Sequence, residues 1–416
     1  MTDTFHPSVS VPEKISLFLQ VRAAARPARR AAFSLALPLL LFLVLTFIVP
    51  IVMLLTTAVQ NPEAMAVIPK TLAALESWDG KSVPDEPVFA ALAADLKVAQ
   101  EARTAAGLGK RLNYEIPGMR SRIVSAARMI AAGAAPPYRP AFLAADPEWG
   151  TPALWAVIQR NGHHFTPYYM LTAVDMQQTP EGALARVEPD QAIFLGVLTR
   201  TLLIAAMVTL GTLVLGYPVA YVLTIAPPHV ARVLMLLVLL PLWTSLLVRT
   251  TAWVVLLQTD GIINDILLML GLTSHKLQLI FTRIGTVVAM IHIQLPFTIL
   301  PIYSVMRAIP STQLRAARSL GAPPLSGFWR IYAPQTLPGV TAGCLMTFIL
   351  SLGYYITPAL VGGPADQMVS NFVSVYINRD LNWGQASALG AVLLVATLVI
   401  YAVFLRLSGA DKIKLG

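Results

Sequence analysis

"IPSTQLRAARSLGAPPLSGFWRIYAPQTLPG", Ile309 to Gly339, separates two long apolar runs in the C-terminal third of the chain. It holds five prolines, three glycines and three arginines, and no acid. Lys and Arg in the short loops of a membrane protein mark the cytoplasmic side, so the segment reads as a cytoplasmic loop between two spans. Its letters spell helix–turn–helix. Ser311 follows Pro310 as an N-cap, and Gly321 ends the first helix as a C-cap. Leu314, Ala317 and Leu320 recur every three residues as a narrow apolar stripe, flanked by Arg315 and Arg318. Pro323 and Pro324 make the turn, and "LSGFWRIYA" supplies a second short helix stopped by Pro334. A first helix this short is marginal alone and needs a surface to lie on, either lipid headgroups or a protein partner.

The rest of the chain supports a membrane setting. Of 416 residues 56% are hydrophobic and 12% charged, about half the charge of a soluble domain. The net charge is +9; because much of it flanks apolar spans, it sets orientation in a membrane and does not bind nucleic acid. The single cysteine, Cys344, excludes an internal disulfide and a thiolate metal cluster and reads as a buried apolar residue. Residues 1–32 form a basic cytoplasmic segment with Arg22, Arg26, Arg29 and Arg30. "FSLALPLLLFLVLTFIVPIVMLLTTAV", residues 33–59, is too long for the apolar region of a signal peptide and reads as an uncleaved first transmembrane helix.

Residues 60–192 hold most of the acids, and patches such as "VFAALAADLKVAQEARTAAG" (Val88–Gly107) alternate at helical spacing. They read as a mainly helical, water-facing domain. Long loops cross a membrane largely regardless of charge, so the domain is placed outside despite its basic residues. Residues 193–408 carry five further spans, expected near Thr201–Ile225, Arg232–Leu257, Gly285–Met306, Thr336–Thr357 and Ala386–Arg406, with the cytoplasmic loop at 309–335. Six spans return the short tail, 409–416, to the cytoplasm. Asp260, Asp265, Asp366 and Asp380 then fall in outer loops.

The loop's spacing resembles the cytoplasmic motif of permease subunits of bacterial ABC importers: Glu-Ala-Ala, three residues, Gly, nine residues, Ile-x-Leu-Pro. Here it stands as Arg315-Ala316-Ala317, Gly321 and Ile331-Tyr332-Ala333-Pro334, without insertion or deletion. Arg315 replaces the Glu, which inverts the charge of that anchor, and Ala333 replaces the Leu. "LGYPVAYVL" (Leu215–Leu223), "PLWTSLLVRTTAW" (Pro241–Trp253) and "SLGYYITPALVGGPADQMVSNFV" (Ser351–Val373) are similar to the spermidine/putrescine type. The resemblance covers roughly Phe194 to Gly409, and the first span in kind, but not the domain at 60–192.

The resemblance implies an all-α membrane protein with six transmembrane helices of the type I ABC importer permease fold, with a mainly helical extracytoplasmic insert between helices 1 and 2. It implies that Arg315, Ala316, Ala317, Gly321, Ile331 and Pro334 couple the chain to a partner ATPase dimer, which would hold the ATP and Mg; this chain would bind no cofactor itself. The other implied partners are a second permease subunit of different sequence, a periplasmic substrate-binding protein and membrane lipid. The implied cargo is a small amine such as putrescine or spermidine; an amino acid or aminobutyrate is the alternative. A membrane-anchored sensor or scaffold is the competing class, and six spans without an output domain count against it.

Candidate pathway residues are Tyr354 and Tyr355, beside the helix-opening Gly353 and Pro358, with Trp243, Trp253 and Tyr303 as further aromatic faces for a cation. Each could equally be an interfacial belt residue. Arg249 is a charge set deep enough near a span end to need explanation. It either snorkels to the outer interface or meets a carboxylate, of the binding protein or of Asp260. The Gly339–Gly343 pair matches a close helix-packing motif. "WDGKS" (Trp78–Ser82) lacks the first glycine of a phosphate loop, and His163–His164 lack a third ligand, so neither ATP nor metal is assigned to this chain.

Overall fold

The computed structural model describes residue 31 and residues 33–179 and 182–408. The basic N-terminal segment and the tail at 409–416 lie outside the described residues. The chain divides into two units, Met1–Thr56 and Thr57–Gly416. In the first, helix α1 (Phe33–Thr57) is a single apolar rod long enough to cross a bilayer. A π-helical turn at Val44–Ile48 precedes Pro50, and the Val49 N–H donates to the Val44 carbonyl. Pro50 lacks a donor and its ring crowds the carbonyl four residues back; the wider turn relieves both.

The second unit begins with the inserted domain: α2 (Pro62–Val67), α3 (Pro69–Leu75), α4 (Glu86–Glu101), α5 (Ala105–Asn113), α6 (Met119–Ala131), α7 (Tyr138–Ala145), α8 (Pro152–Arg160) and α9 (Tyr168–Thr172). The helices pack around Phe89, Phe142, Trp149 and Trp155, whose ring centroids lie 4.8 to 5.6 Å apart. A buried Asp95 accepts from the N–H and the hydroxyl of Thr71, both at 2.8 Å, tying α3 to α4. The expectation of a mainly helical domain misses one element, the antiparallel hairpin β1 (Met176–Gln178) and β2 (Leu184–Arg186). "WDGKS" is a local turn, in which Asp79 Oδ1 accepts from the Lys81 and Ser82 N–H groups.

The insert is fixed to the membrane core at one end. Asp175 accepts from the Phe194 and Leu195 N–H groups at 2.9 and 2.7 Å and so caps α10 (Phe194–Ile225). Lys110 Nζ donates to the Asp380 carbonyl just before the last long helix. Arg111, 2% exposed, lies 4.9 and 5.2 Å from the Tyr168 and Tyr169 ring centroids and pairs with Glu115 at 3.0 Å.

After α10 come α11 (Pro228–Leu239), α12 (Leu246–Leu256), α13 (Ile262–Met269), α14 (Arg283–Ala308), α15 (Ser311–Ser319), α16 (Pro324–Gly353), α17 (Ile356–Val361), α18 (Val369–Asn378) and α19 (Trp383–Ser408). Among the described residues five helices are long and apolar enough to cross a membrane, or six with one bent pair counted as a crossing. That pair corrects the expected third span. Pro228–Trp243 and Leu246–Leu256 meet at 99°, because Ser245 is extended and its Oγ caps the Val248 N–H at 3.2 Å, starting a new helix.

Three long helices, α10, α14 and α16, form the centre. Thr298 of α14 hydrogen-bonds Thr212 of α10 at 2.9 Å and Thr347 of α16 at 2.6 Å, and all three are fully buried. Gly339 and Gly343 let α16 lie against α14, as their spacing suggested. A Cβ on Gly343 would stand 2.8 Å from the Thr298 carbonyl oxygen, which cannot move without bending α14. Gly343→Val should therefore cost about 1–3 kcal/mol through overpacking. A lower unfolding temperature in detergent checks this; an unchanged one would contradict the packing.

Candidate functional site

Two regions carry the candidate residues, and the first is the loop at 309–335. Helix α15 ends in a Schellman turn. Gly321 has φ +86°, its N–H donates to the Arg318 carbonyl at 3.0 Å, and the Ala322 N–H donates to the Ala317 carbonyl at 3.0 Å. Gly321 is thus the stop its position predicted. Two details differ from the sequence reading. Ser311 is the first helical residue, not the N-cap, and its Oγ accepts from Arg315 Nη2 at 3.2 Å. The apolar stripe is also incomplete: Ala317 is buried and Leu314 half-buried, but Leu320 has turned outward and is 89% exposed.

Pro334 does not end the second helix. A π-helical turn over Phe328–Tyr332 lets the Ala333 N–H donate to the Phe328 carbonyl, and α16 continues to Gly353. This is the device seen at Pro50, and it makes the loop's second helix the leading end of a membrane-length helix. Between α15 and the ends of α10, α14 and α16 lies a groove of about 270 Å³, lined by Tyr221, Arg307, Leu314, Arg315, Arg318 and Tyr332 among others. Arg315, Ala316 and Arg318 are exposed, Pro334 is exposed and Ile331 is half-buried. The surface so presented is short, basic and tipped by Leu320, with Leu325 and Trp329 exposed beside it.

The second region is a polar seam formed by α12, α14, α17 and the end of α16. Thr250 and Thr357, both fully buried, hydrogen-bond at 3.1 Å. Ser351 Oγ donates to Gln294 Oε1 at 2.9 Å, and Trp253 Nε1 donates to His292 Nδ1 at 3.0 Å. Among the described residues Arg249 hydrogen-bonds only the Ile293 carbonyl, at 3.5 Å from Nη1. The helix breaks at Gly353 as expected, leaving Tyr354 half-buried and Tyr355 42% exposed.

Other candidates lie apart from this seam. Tyr303 accepts from Arg307 near the loop, and Trp243, 70% exposed, sits at the bend before α12. Asp260 does not pair with Arg249. Lys276 Nζ donates to it at 2.7 Å and holds its carboxyl below the usual range. Gln294, His292 and Ser351 were missed, although "HIQLPF" (His292–Phe297) already shows polar letters inside an apolar run.

Geometry and comparison agree on the class. A model of the family described as "Binding-protein-dependent transport system inner membrane component" matches residues 213–409. The spermidine/putrescine transport system permease protein PotB of Escherichia coli (strain K12) is 33% identical over 210 residues, 50% of this chain and 76% of that protein. The protein of the same name from Haemophilus influenzae is 32% identical over 209 residues, covering 50% and 73%. The inner membrane ABC transporter permease protein YdcU of E. coli (strain K12) is 30% identical over 259 residues, covering 58% and 81%. Among solved structures, a chain of the inward-facing MetNI methionine ABC transporter aligns at TM-score 0.43 and 18% identity, over 54% of this chain and 98% of that one.

These features define a multi-pass permease subunit of an ABC importer, not an enzyme. The chain belongs to the family of inner-membrane components of binding-protein-dependent transport systems.

A Cβ at Gly321 would meet nothing within 4 Å, so a substitution there acts through its positive φ, at about 1–2 kcal/mol. Gly321→Val should open the end of α15 and speed trypsin cleavage at Arg315 and Arg318 about 5- to 30-fold. Gly321→Asn, which tolerates the left-handed region, should stay near wild type. Equal cleavage of all three proteins would contradict the Schellman stop.

Proposed function

We propose that this chain is the permease half through which an ATP-driven importer passes a polyamine such as putrescine or spermidine from a periplasmic binding protein into the cytoplasm by alternating access. The similarity to PotB supports the substrate class, and the basic, Schellman-ended loop is the observation that supports the coupling. A three-turn helix held over a groove and exposing Arg315, Ala316, Arg318 and Leu320 suits a protein partner better than bulk water. On this reading the partner is an ATPase dimer, which carries the ATP and Mg, while this chain binds no cofactor. A second permease of different sequence completes the pathway.

Orientation follows from the same reading. The insert is anchored at the Phe194 end of α10, and Ile225 at the other end lines the loop's groove. A helix of 32 residues separates the two by about 48 Å, more than a bilayer's hydrocarbon core. With the loop in the cytoplasm, the insert is periplasmic, a platform on which the binding protein docks, and both termini are cytoplasmic. The core aspartates at the outer mouth do not form a free cation funnel: Asp260 pairs with Lys276, Asp366 with Arg283 and Asp380 with Arg379.

The test is uptake by proteoliposomes holding this chain, its co-encoded permease and ATPase, and the binding protein. ATP-dependent accumulation of labelled putrescine or spermidine, competed by either polyamine and not by aminobutyrate, is expected. Accumulation of an amino acid or aminobutyrate with no polyamine uptake would overturn the substrate assignment.

A further inference from the structure

The polar seam is short of acceptors. Gln294 is fully buried, its Oε1 is used by Ser351, and its Nε2 donates to nothing among the described residues. Arg249 Nε is likewise buried without a partner among the described residues, where the only acceptor its guanidinium reaches is the carbonyl of Ile293, the residue next to Gln294. Both groups are donors, and the arginine is permanently charged. Arg249 as a whole is half-buried with its Nε enclosed, and a cation in a membrane span without a counter-charge is costly.

Among the described residues no carboxylate pairs with Arg249. No Asp or Glu occurs in any of its spans. The four aspartates of the outer loops are taken by local cations: Asp260 and Asp265 by Lys276, Asp366 by Arg283 and Asp380 by Arg379. His292 accepts from Trp253 through Nδ1 and is exposed at the chain's surface, as is Tyr355. The Trp253–His292 edge of the seam is therefore exposed at the chain's surface, at membrane depth, next to the Ile293 carbonyl that the half-buried Arg249 reaches.

We propose that Arg249 receives an intramembrane carboxylate from the second permease subunit, in an ion pair across the subunit boundary. The proposal rests on the reading of the chain as one half of a permease pair. A second copy of this chain would bring a second Arg249 and no acid, so like charges would face each other where the seam needs an anion. The geometry also bears on cargo. A polycation does not bind beside a fixed guanidinium, whereas a carboxylate held by Arg249 in one conformation is available to an amine when the halves separate. Arg249 would then be a positioning residue for the pathway, masking and releasing the partner's acid.

The experiment uses the assembled importer in proteoliposomes. Each intramembrane Asp or Glu of the co-encoded permease is replaced by Asn or Gln, alone and together with Arg249→Gln, and uptake and binding-protein-stimulated ATP hydrolysis are both measured. One acid is expected to match Arg249→Gln in lowering uptake about tenfold or more, with the double variant no worse than either single one and Arg249→Lys partly restored. If Arg249→Gln fails to assemble, the swap of Arg249→Glu with Arg at the matching acid should restore assembly and uptake. Additive losses at every acid, a failed swap, a partner without any intramembrane acid, or an active importer built from two copies of this chain would each overturn the proposal. So would weaker affinity of Arg249→Gln for a carboxylate-bearing solute with no acid coupled, which would give the carboxylate to the cargo. A wrong polyamine assignment would show separately, as wild-type uptake of a different solute with the ATP hydrolysis coupling intact.

Discussion

Three hydroxyls meeting at Thr298 hold the centre of this permease together. In lipid there is no hydrophobic drive between apolar helices, so close backbone approach and internal hydrogen bonds must join them. Thr212, Thr298 and Thr347 bond one another with no exposure, and Gly339 and Gly343 bring α16 onto α14 at the same level. This fixes the relative rotation of α10, α14 and α16, and everything functional hangs from their ends. The loop joins α14 to α16 at one end, and the insert enters α10 at the other.

That arrangement gives the insert a mechanical role. Asp175 caps α10, Lys110 holds the approach to α19, and Arg200 donates to the Gln367 and Ala365 carbonyls at 2.9 and 2.7 Å. Arg283 and Asp366 pair beside them at 2.9 Å. The insert is thus attached to elements that meet at one face of the core, not tethered by a flexible linker. On the proposed reading of the insert as a docking platform, a protein landing on it would act on α10 and α19 directly.

Much of this was readable from the sequence because a bilayer leaves few choices. Apolar runs longer than twenty residues declare spans. Gly321 was legible as a stop because only a left-handed residue closes α15 so tightly. The misses have physical causes. Ser245 caps a new helix inside an apolar run, so hydropathy alone saw one straight span where there are two pieces at 99°. Pro334 looked like a terminator because a π turn, which carries no composition mark, absorbs it. Asp260 looked free because Lys276 lies sixteen residues away, and only the fold brings their side chains to 2.7 Å. Gln294 was overlooked because one polar letter in a span does not say which of its atoms goes unpaired.

The account stands or falls on whether the loop at 309–335 meets an ATPase. Leu320 is 89% exposed at the tip of α15, and Cys344, the one native cysteine, is buried in α16. A Leu320→Cys variant therefore offers a single reactive thiol on the loop. Treated with a short maleimide–succinimidyl ester cross-linker, which joins this thiol to a lysine amine, in membranes containing the co-encoded ATPase, it should form a cross-link to that chain whose yield changes with ATP. Labelling of Leu320→Cys by an impermeant reagent from the periplasmic side, with no ATPase cross-link in any nucleotide state, would contradict the orientation and the coupling together.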